Sequence, residues 1–335
     1  MIEDILNQEV PEGGRPQVVF DLRGTICLDG QPHILDRQYK IYERFPGSLL
    51  VPYDSIARRT EYLFFPDIAE VILQVLSYGW DVGIWGSQKA RRDFFIMHQY
   101  LSYMFMKYLP DPLKSKDCVS DLFDSRIHVY GTEMERTERL KNKYGRKPGR
   151  GKNGAPYDFI GTYKKHLENL KGDLEDIVLI ENDASFVVGG DQYPFISAGI
   201  PRLQEDYYKD KNGGVKPDPI YAFCFTTGEK GSRKCDLYYP YADCAAYFSG
   251  VLSLCRECME EEEISLRAAL SKVLLVEGGG RSGPWYMMRP NHEVPIDVYN
   301  QWLETGRAAI EEITTHRQPD YVELRNPFEY LIGEY

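Results

Sequence analysis

The sequence contains no apolar run long enough to cross a membrane. Runs such as residues 177–180 and 273–276 fall far short of the ~18 consecutive apolar residues that a spanning helix requires. The first twelve residues carry four acids and no base, unlike a secretory leader or a transit peptide. We therefore expect a protein of the cytoplasm or the nucleus that does not contact membranes.

The cysteine pattern of a disulfide framework or a zinc site is also missing. The chain has seven cysteines, an odd number, at irregular spacings. Cys255 and Cys258 form a single Cys-x-x-Cys pair, whereas structural zinc sites usually take about four ligands. We expect reduced, buried thiols and no metal at these positions.

Positive charge is scarce over the chain as a whole. The net charge of −11 disfavours general adhesion to nucleic acid, whose phosphate backbone attracts positive protein charge. The exception is the segment 136–152, which holds eight Lys or Arg residues and three glycines. This composition predicts a flexible basic loop. A solvated insertion is the simpler interpretation, and contact with an acidic or phosphorylated partner, including nucleic acid, is the alternative.

What the sequence does contain is an alternation of strand and helix patterns. Short apolar, β-branched runs end at Asp21, Trp85 and Ile180, and helical patterns cover residues 67–79, 91–109 and 163–170. This alternation predicts an α/β fold with a Rossmann-like parallel sheet. Because ligands bind at the carboxyl ends of such strands, we expect Asp21, Ser87 and Glu181 to converge at one edge of the sheet.

The last part of the sequence predicts a helical addition. Apolar positions at helical spacing indicate helices at 265–276 and 296–315, separated by a glycine-rich linker at 278–283. We expect these apolar faces to bury against each other, the core or another chain, and Trp285, Tyr286 and Phe328 to contact a partner. Deletion of residues 277–335 is then expected to leave the sheet domain folded.

The residues that follow the first predicted strand resemble a known signature. Asp21-Leu22-Arg23-Gly24-Thr25 resembles the Asp-x-Asp-x-Thr motif of the haloacid dehalogenase superfamily. The stretch Tyr163-Lys164-Lys165-His166-Leu167, followed by a strand and Glu181-Asn182-Asp183-Ala184-Ser185-Phe186, is similar to a block of the phosphatases that act on the RNA polymerase II C-terminal domain, the NLI-interacting-factor-like branch. Phe123-Asp124-Ser125-Arg126-Ile127 resembles the Phe-x-x-Arg-Leu stretch of that branch. The resemblance covers about residues 16–200, with a return near 236–252.

The resemblance implies a domain organisation. A haloacid dehalogenase-like domain would cover residues 15–255, with a basic loop insertion at 132–156 and a second insertion at 202–235. A tail at 1–14 would precede it, and a helical extension at 256–335 would follow. No large cap domain is expected between Asp21 and Ser87, which implies an open site suited to a macromolecular substrate.

The resemblance also implies catalytic roles. Asp21, in the motif that Thr25 completes, would attack phosphorus and form an aspartyl-phosphate. Lys165, or its neighbour Lys164, would neutralise the phosphate, and Ser87 would donate a hydrogen bond to a phosphoryl oxygen. Mg²⁺, which prefers oxygen ligands, would be held by Asp21, the main-chain carbonyl of Arg23, Glu181 and Asn182.

Three departures from the motif leave two hypotheses open. Arg23 stands in place of the general acid and cannot release a proton near neutral pH. Glu181 replaces an aspartate, and Gly86 stands where Ser or Thr is usual, with Ser87 one residue later. One hypothesis is a slow Mg²⁺-dependent phosphatase that acts on a phosphoprotein. The alternative is a catalytically inactive pseudophosphatase that serves as a protein-binding or scaffold subunit.

Overall fold

The computed structural model describes residues 1–22, 25–30, 49–54, 59–86, 90–131, 136–137, 163–166, 170, 172–181, 187–188, 196–197, 202–203, 244–274, 293–294 and 296–319. The strands are β1 (Gln17–Asp21), β2 (Cys27–Gly30), β3 (Leu49–Asp54), β4 (Arg59–Phe64), β5 (Asp81–Trp85), β6 (Ile127–Tyr130), β7 (Arg136–Thr137), β8 (Tyr163–His166), β9 (Ile177–Glu181), β10 (Val187–Val188), β11 (Ile196–Ser197), β12 (Arg202–Leu203) and β13 (Glu293–Val294). The α-helices are α1 (Ile2–Leu6), α2 (Ile68–Ser77), α3 (Ala90–Phe105), α4 (Ser115–Ser125), α5 (Cys244–Glu262), α6 (Leu266–Val273) and α7 (Ile296–Thr315).

A five-stranded parallel sheet forms the centre of the fold. Its order is β11-β9-β1-β5-β6, and all four pairings are parallel. Strand β1 lies in the middle, and its Val18, Val19 and Phe20 are fully buried. A strand covered on both faces has no room for polar alternation, which explains the continuous apolar run in the sequence. The predicted Rossmann-like α/β class is confirmed by this topology.

Most of the predicted helices and strands of this sheet domain are confirmed. The helix expected at 67–79 is α2, the helix expected at 91–109 is α3 with a 3₁₀ turn after it at Met106–Tyr108, and the strand expected at 81–85 is β5. Helix α2 is buried over almost its whole length, including Glu70 and Gln74. Its polar residues therefore need partners inside the protein, and the contacts of Glu70 with three side chains are described below.

The helix predicted at 163–170 is wrong. Residues Tyr163–His166 form strand β8, which pairs antiparallel with β7 and parallel with β10 in a separate three-stranded sheet. The local pattern of this segment fits a helix, but pairing on both sides satisfies the backbone groups of the segment in an extended conformation. Tertiary pairing thus overrides the local preference.

The segment of the sequence between β1 and α2 forms a second sheet. Strands β2, β4 and β3 form an antiparallel sheet in that order, which we call the flap sheet. The amide of Phe65 donates to the carbonyl of Ile26 at 3.1 Å, and the ring of Phe64 stacks on Tyr100 of α3 with centroids 3.8 Å apart. These contacts attach the flap sheet to the turn after β1 and to α3. No strand was predicted from the sequence in this segment.

Helices α5 and α7 pack against α2, α6 packs against α5 and β9, and all three join the same hydrophobic core. The predicted apolar stripes are buried, as expected, at Leu266, Ala269, Leu270, Val273, Trp302, Leu303, Ile310 and Ile313. The side chains of Ile296 and Tyr299, and the expected contact residues Trp285, Tyr286 and Phe328, lie outside the part that the structure describes. The expected domain boundary between residues 255 and 256 falls inside α5.

Arg126 ties the N-terminal helix to the sheet domain. Helix α1 lies in the expected tail, and its Ile2 and Ile5 are buried. The Arg126 guanidinium donates to the carbonyl of Ile5 at 2.8 Å, to the carbonyl of Trp80 at 2.9 Å and to the Asp81 carboxylate at 2.8 Å. Arg126 is 1% exposed, so its charge depends on these partners.

The described cysteines are unbonded thiols. Cys27, Cys244 and Cys255 are buried, and Cys118 and Cys258 are partly exposed. The segments 132–135, 138–162 and 204–243 lie outside the described residues, so the basic loop is represented only by the short strand β7. Of the helices that the structure describes, none is both long enough and apolar enough to span a bilayer.

Candidate active site

Asp21 ends the central strand and is 6% exposed. The hydroxyl of Thr25, which is fully buried, donates to Asp21 Oδ2 at 3.0 Å. The carbonyl of Leu22 accepts from the amides of Ile26 at 3.2 Å and Cys27 at 3.1 Å, so the chain turns sharply after the strand. This turn brings Thr25 back onto Asp21 and fixes the orientation of the carboxylate.

The strand order changes direction beside Asp21. From β1 the chain continues through β5 and β6 on one side of the sheet, and then returns to form β9 and β11 on the other side. In the register, Phe20 pairs with Ile180, so Asp21 and Glu181 each follow this last pair by one residue on neighbouring strands. Crevices at such switch points, outside the carboxyl ends of the strands, are the usual ligand sites of open α/β sheets.

Strand β5 borders the site on its other side. Asp21 pairs in register with Trp85, which is fully buried, and Gly86 follows directly. The rings of Trp85 and Tyr130 lie 5.8 Å apart. Tyr130 and Gln17 are hydrogen-bonded, with Gln17 Nε2 donating to the Tyr130 hydroxyl at 3.0 Å. These contacts hold β1, β5 and β6 together on this side of Asp21.

The structure places some of the predicted site residues and leaves others outside its described part. Asp21 and Thr25 are in contact, and the backbone of Glu181 ends the neighbouring strand. The backbone of Lys165 lies in β8, where it pairs with Val187. The other predicted site residues, Arg23, Ser87 and Asn182, lie outside the described residues. Their convergence with Asp21 stays a prediction.

Among the expected Mg²⁺ ligands, Asp21 is the residue whose donor atoms lie in the described part of the structure. The part of the chain that the structure describes contains no group of three or more His, Cys, Asp or Glu side chains suited to a metal ion. The predicted donor set consists of carboxylate, amide and carbonyl oxygens, which are ligands of the hard type that Mg²⁺ prefers. Asp21 and Glu181 at adjacent strand ends are compatible with such a set.

Sequence reasoning missed Asp93, which lies in the first turn of α3 and is fully buried. Its carboxylate lies against Gly86: a Cβ at position 86 would lie 2.7 Å from Asp93 Cγ. This is the reason that a glycine, and no Ser or Thr, can follow β5 directly. The available signal was an acid in the first turn of a predicted helix, which is too common to stand out.

A buried charge cluster lies where α2 begins. Glu70 is fully buried and accepts from the Lys107 ammonium at 2.6 Å, the Tyr108 hydroxyl at 2.8 Å and the Arg317 guanidinium at 3.0 Å. Burial alone would raise the pKa of Glu70, but Lys107 and the hydrogen bonds hold that pKa below its ordinary value. The pKa of Asp67 is raised, first by burial and then by the charge of Glu70.

Comparison with known proteins finds a structural likeness and no sequence match. No family model matches the chain, and no curated protein matches its sequence. Among solved structures, the chain is similar to Fcp1, an essential RNA polymerase II CTD phosphatase, at 11% identity and a TM-score of 0.32, over 77% of this chain and 70% of that one. A likeness at this level does not establish a shared activity. The fold assignment rests on the strand order and register of the sheet itself.

Proposed function

We propose that this chain is a Mg²⁺-dependent phosphatase of the haloacid dehalogenase type that uses Asp21 as its nucleophile on a phosphoprotein. The observation that carries the proposal is the position of Asp21: a nearly buried carboxylate, oriented by Thr25, at the carboxyl end of the central strand and beside the switch point. A carboxylate that only caps a turn does not need this position. The similarity of the motif to the superfamily signature supports the same assignment.

The reaction would proceed in two displacements. A carboxylate oxygen of Asp21 attacks phosphorus, the bond from phosphorus to the ester oxygen breaks, and the leaving alkoxide or phenoxide takes a proton from solvent. Water then attacks the aspartyl-phosphate and releases inorganic phosphate and the free carboxylate. Thr25 would keep the carboxylate oriented in both steps, and Lys165 and Ser87 would bind the phosphoryl oxygens.

Mg²⁺ would be held by Asp21, the carbonyl of Arg23, Glu181 and Asn182. When bound, it supplies positive charge that stabilises the charge on the phosphoryl group. Because Arg23 replaces the general acid, the proton transfer to the leaving group is uncatalysed by the protein, and the enzyme should be slow on esters with poor leaving groups. The flap sheet has three strands, and a border of this size would leave the site open to a macromolecule. The proposed substrate is therefore a phosphoprotein of the cytoplasm or nucleus.

The test compares two substrates on matched proteins. The native chain with Mg²⁺ should hydrolyse p-nitrophenyl phosphate far faster than phosphoserine, because nitrophenolate needs little protonation to leave. Asp21→Asn, which keeps the side-chain shape, should abolish both activities. Arg23→Asp should raise the rate on phosphoserine by about tenfold or more. Activity that survives Asp21→Asn would overturn the proposal.

A pseudophosphatase that acts as a binding subunit is the second candidate, and the observation that favours it is Arg23 itself. A guanidinium folded onto Asp21 would fill the position of the phosphate with a bidentate ion pair. In that case the native chain hydrolyses neither ester. The two candidates are thus separated by the same pair of substrates.

A further inference from the structure

The carboxylate of Asp93 lies under the peptide that leaves the active-site edge of β5. Gly86 follows Trp85, which is the register partner of Asp21, so this peptide borders the nucleophile on the next strand. A Cβ on residue 86 would overlap the Asp93 carboxylate, with 2.7 Å to Cγ and 3.2 Å to Oδ1. The space beneath the peptide is therefore filled by a carboxylate and by no apolar side chain.

A fully buried carboxylate at this place is costly. Aspartate is among the residues that are least often fully buried, because its charge loses hydration there. An apolar residue would fill the same space without that cost. The position of Asp93 in the first turn of a 16-residue helix offsets part of the cost, since negative charge is favoured at the positive end of the helix dipole. Exceptions of this kind to local preference are concentrated at functional sites.

The first turn of α3 also contacts the flap sheet. Arg92 donates to the hydroxyl of Tyr62 in β4, and its guanidinium lies 5.4 Å from the centre of the Tyr62 ring. One helical turn therefore contacts both the end of β5, through Asp93, and the flap sheet, through Arg92. The flap sheet in turn is bonded to the turn after Asp21 through Phe65 and Ile26.

We propose that Asp93 is a positioning residue that fixes the peptide after β5 beside Asp21, and that Gly86 is required because this carboxylate occupies its side-chain space. Asp93 does not touch the substrate. It acts by holding the backbone at Gly86, the residue that follows the register partner of Asp21. This role rests on the proposed function, since it concerns the reaction of Asp21.

The main experiment compares Asp93→Asn with Asp117→Asn. Both aspartates lie in the first turn of a helix, but Asp117 is exposed on α4 and far in the sequence from the site residues. Asp93→Asn should lower kcat on p-nitrophenyl phosphate by about 10- to 100-fold, the range expected when a catalytic geometry is displaced by a fraction of an ångström to 1 Å. KM and the thermal midpoint should change little, and Asp117→Asn should match the native chain.

A second pair of variants tests the steric part of the proposal. Gly86→Ala should lose activity because its methyl group displaces the carboxylate. Gly86→Ala combined with Asp93→Ser, which shortens the side chain, should bind inorganic phosphate more tightly than Gly86→Ala alone. A double variant no better than Gly86→Ala would overturn the steric claim.

The outcomes distinguish this role from the proposed function. If the native chain is active and Asp93→Asn is as active as Asp117→Asn, the positioning role is wrong and the proposed function stands. If the native chain hydrolyses neither ester, the proposed function is wrong. Hydrogen exchange then tests separately whether Asp93 holds the backbone at the end of β5. Amides of residues 81–86 should exchange faster in Asp93→Asn than in Asp117→Asn, and equal exchange would overturn the role.

Discussion

The main chains of Gly250 in α5 and Gly306 in α7 are in direct contact. A Cβ on Gly306 would lie 2.7 Å from the amide nitrogen of Gly250 and 2.7 Å from the carbonyl carbon of Ala246. A Cβ on Gly250 would lie 2.7 Å from the carbonyl carbon of Trp302. The two helices thus cross at a distance that only a pair of glycines allows, and the C-terminal helix seats Trp302 in the common core.

Gly306→Ala should destabilise the protein by about 1–3 kcal/mol, because the added methyl group forces apart two closely packed backbones. The sign is the informative part, since Gly→Ala inside a helix normally stabilises by about 0.5–1 kcal/mol. Urea unfolding measures the effect. Asn300→Ala, at an exposed position of the same helix, is the control and should change stability little. A stabilising Gly306→Ala would show that the helices are further apart.

Trp302→Ala should lower the free energy of unfolding by about 3–5 kcal/mol, because this 1% exposed side chain packs on Tyr247 with ring centroids 5.7 Å apart and leaves a large cavity when removed.

The same reasoning predicts that a chain without residues 277–335 shows no cooperative thermal transition. This outcome is the opposite of the expectation from sequence. A truncated chain that unfolds cooperatively, with the same melting temperature as the native chain, would restore that expectation.

Arg126→Met should destabilise by about 3–5 kcal/mol, because it removes the buried cation that donates to Asp81 Oδ1 and to the carbonyls of Ile5 and Trp80. Arg256→Met is the matched control. Arg256 forms an exposed pair with Glu260 one helical turn away and lies 4.4 Å from the centre of the Tyr78 ring, and each contact is expected to contribute about 1 kcal/mol or less. Both values follow from guanidinium chloride unfolding. Equal effects of the two substitutions would contradict the role of Arg126 as the anchor of α1.

The buried charge of Glu70 should make the folded protein less stable in acid. Its pKa is lower in the folded state than the ordinary value of 4.5, so its charge stabilises the fold above that value. The contribution is lost as the pH falls through the lower, folded-state pKa. Glu70→Gln should therefore be less stable than the native chain at pH 7, and the difference should shrink progressively below about pH 4.5. Urea unfolding from pH 3 to pH 7 measures the effect, with Glu260→Gln as the exposed control; a constant difference would contradict it.

The sequence predicted β1, β5 and β9 of the central sheet, because each of these strands carries its own signal, whereas β6 and β11 were not predicted. The runs that end at Asp21, Trp85 and Ile180 are apolar on both faces, as strands of a covered parallel sheet must be. Helix α7 was recognisable for a different reason: apolar residues recur at helical spacing between Ile296 and Ile313. Asp21 was singled out as a candidate because it ends such a strand.

The remaining features depend on contacts that are distant in the sequence. Strand β8 is extended because β7 and β10 pair with it, and neither is recognisable from a two-residue pattern. Asp93 was missed because its burial depends on Gly86, and Glu70 because its partners Lys107 and Arg317 come from other segments. No local pattern reports a contact between such segments.

The order of the central sheet has a consequence for how the chain folds as it is synthesised. Strand β1 can pair with β5 as soon as residues 81–85 have emerged, but its other edge needs β9, where Gln17 meets Ile177. Until then the apolar edge that will carry Asp21 stays unpaired, and such an edge is a template for association with other chains. Non-local pairing of this kind also slows folding, because a long loop must close first. The nascent chain should therefore need chaperone protection until residue 181 has left the ribosome.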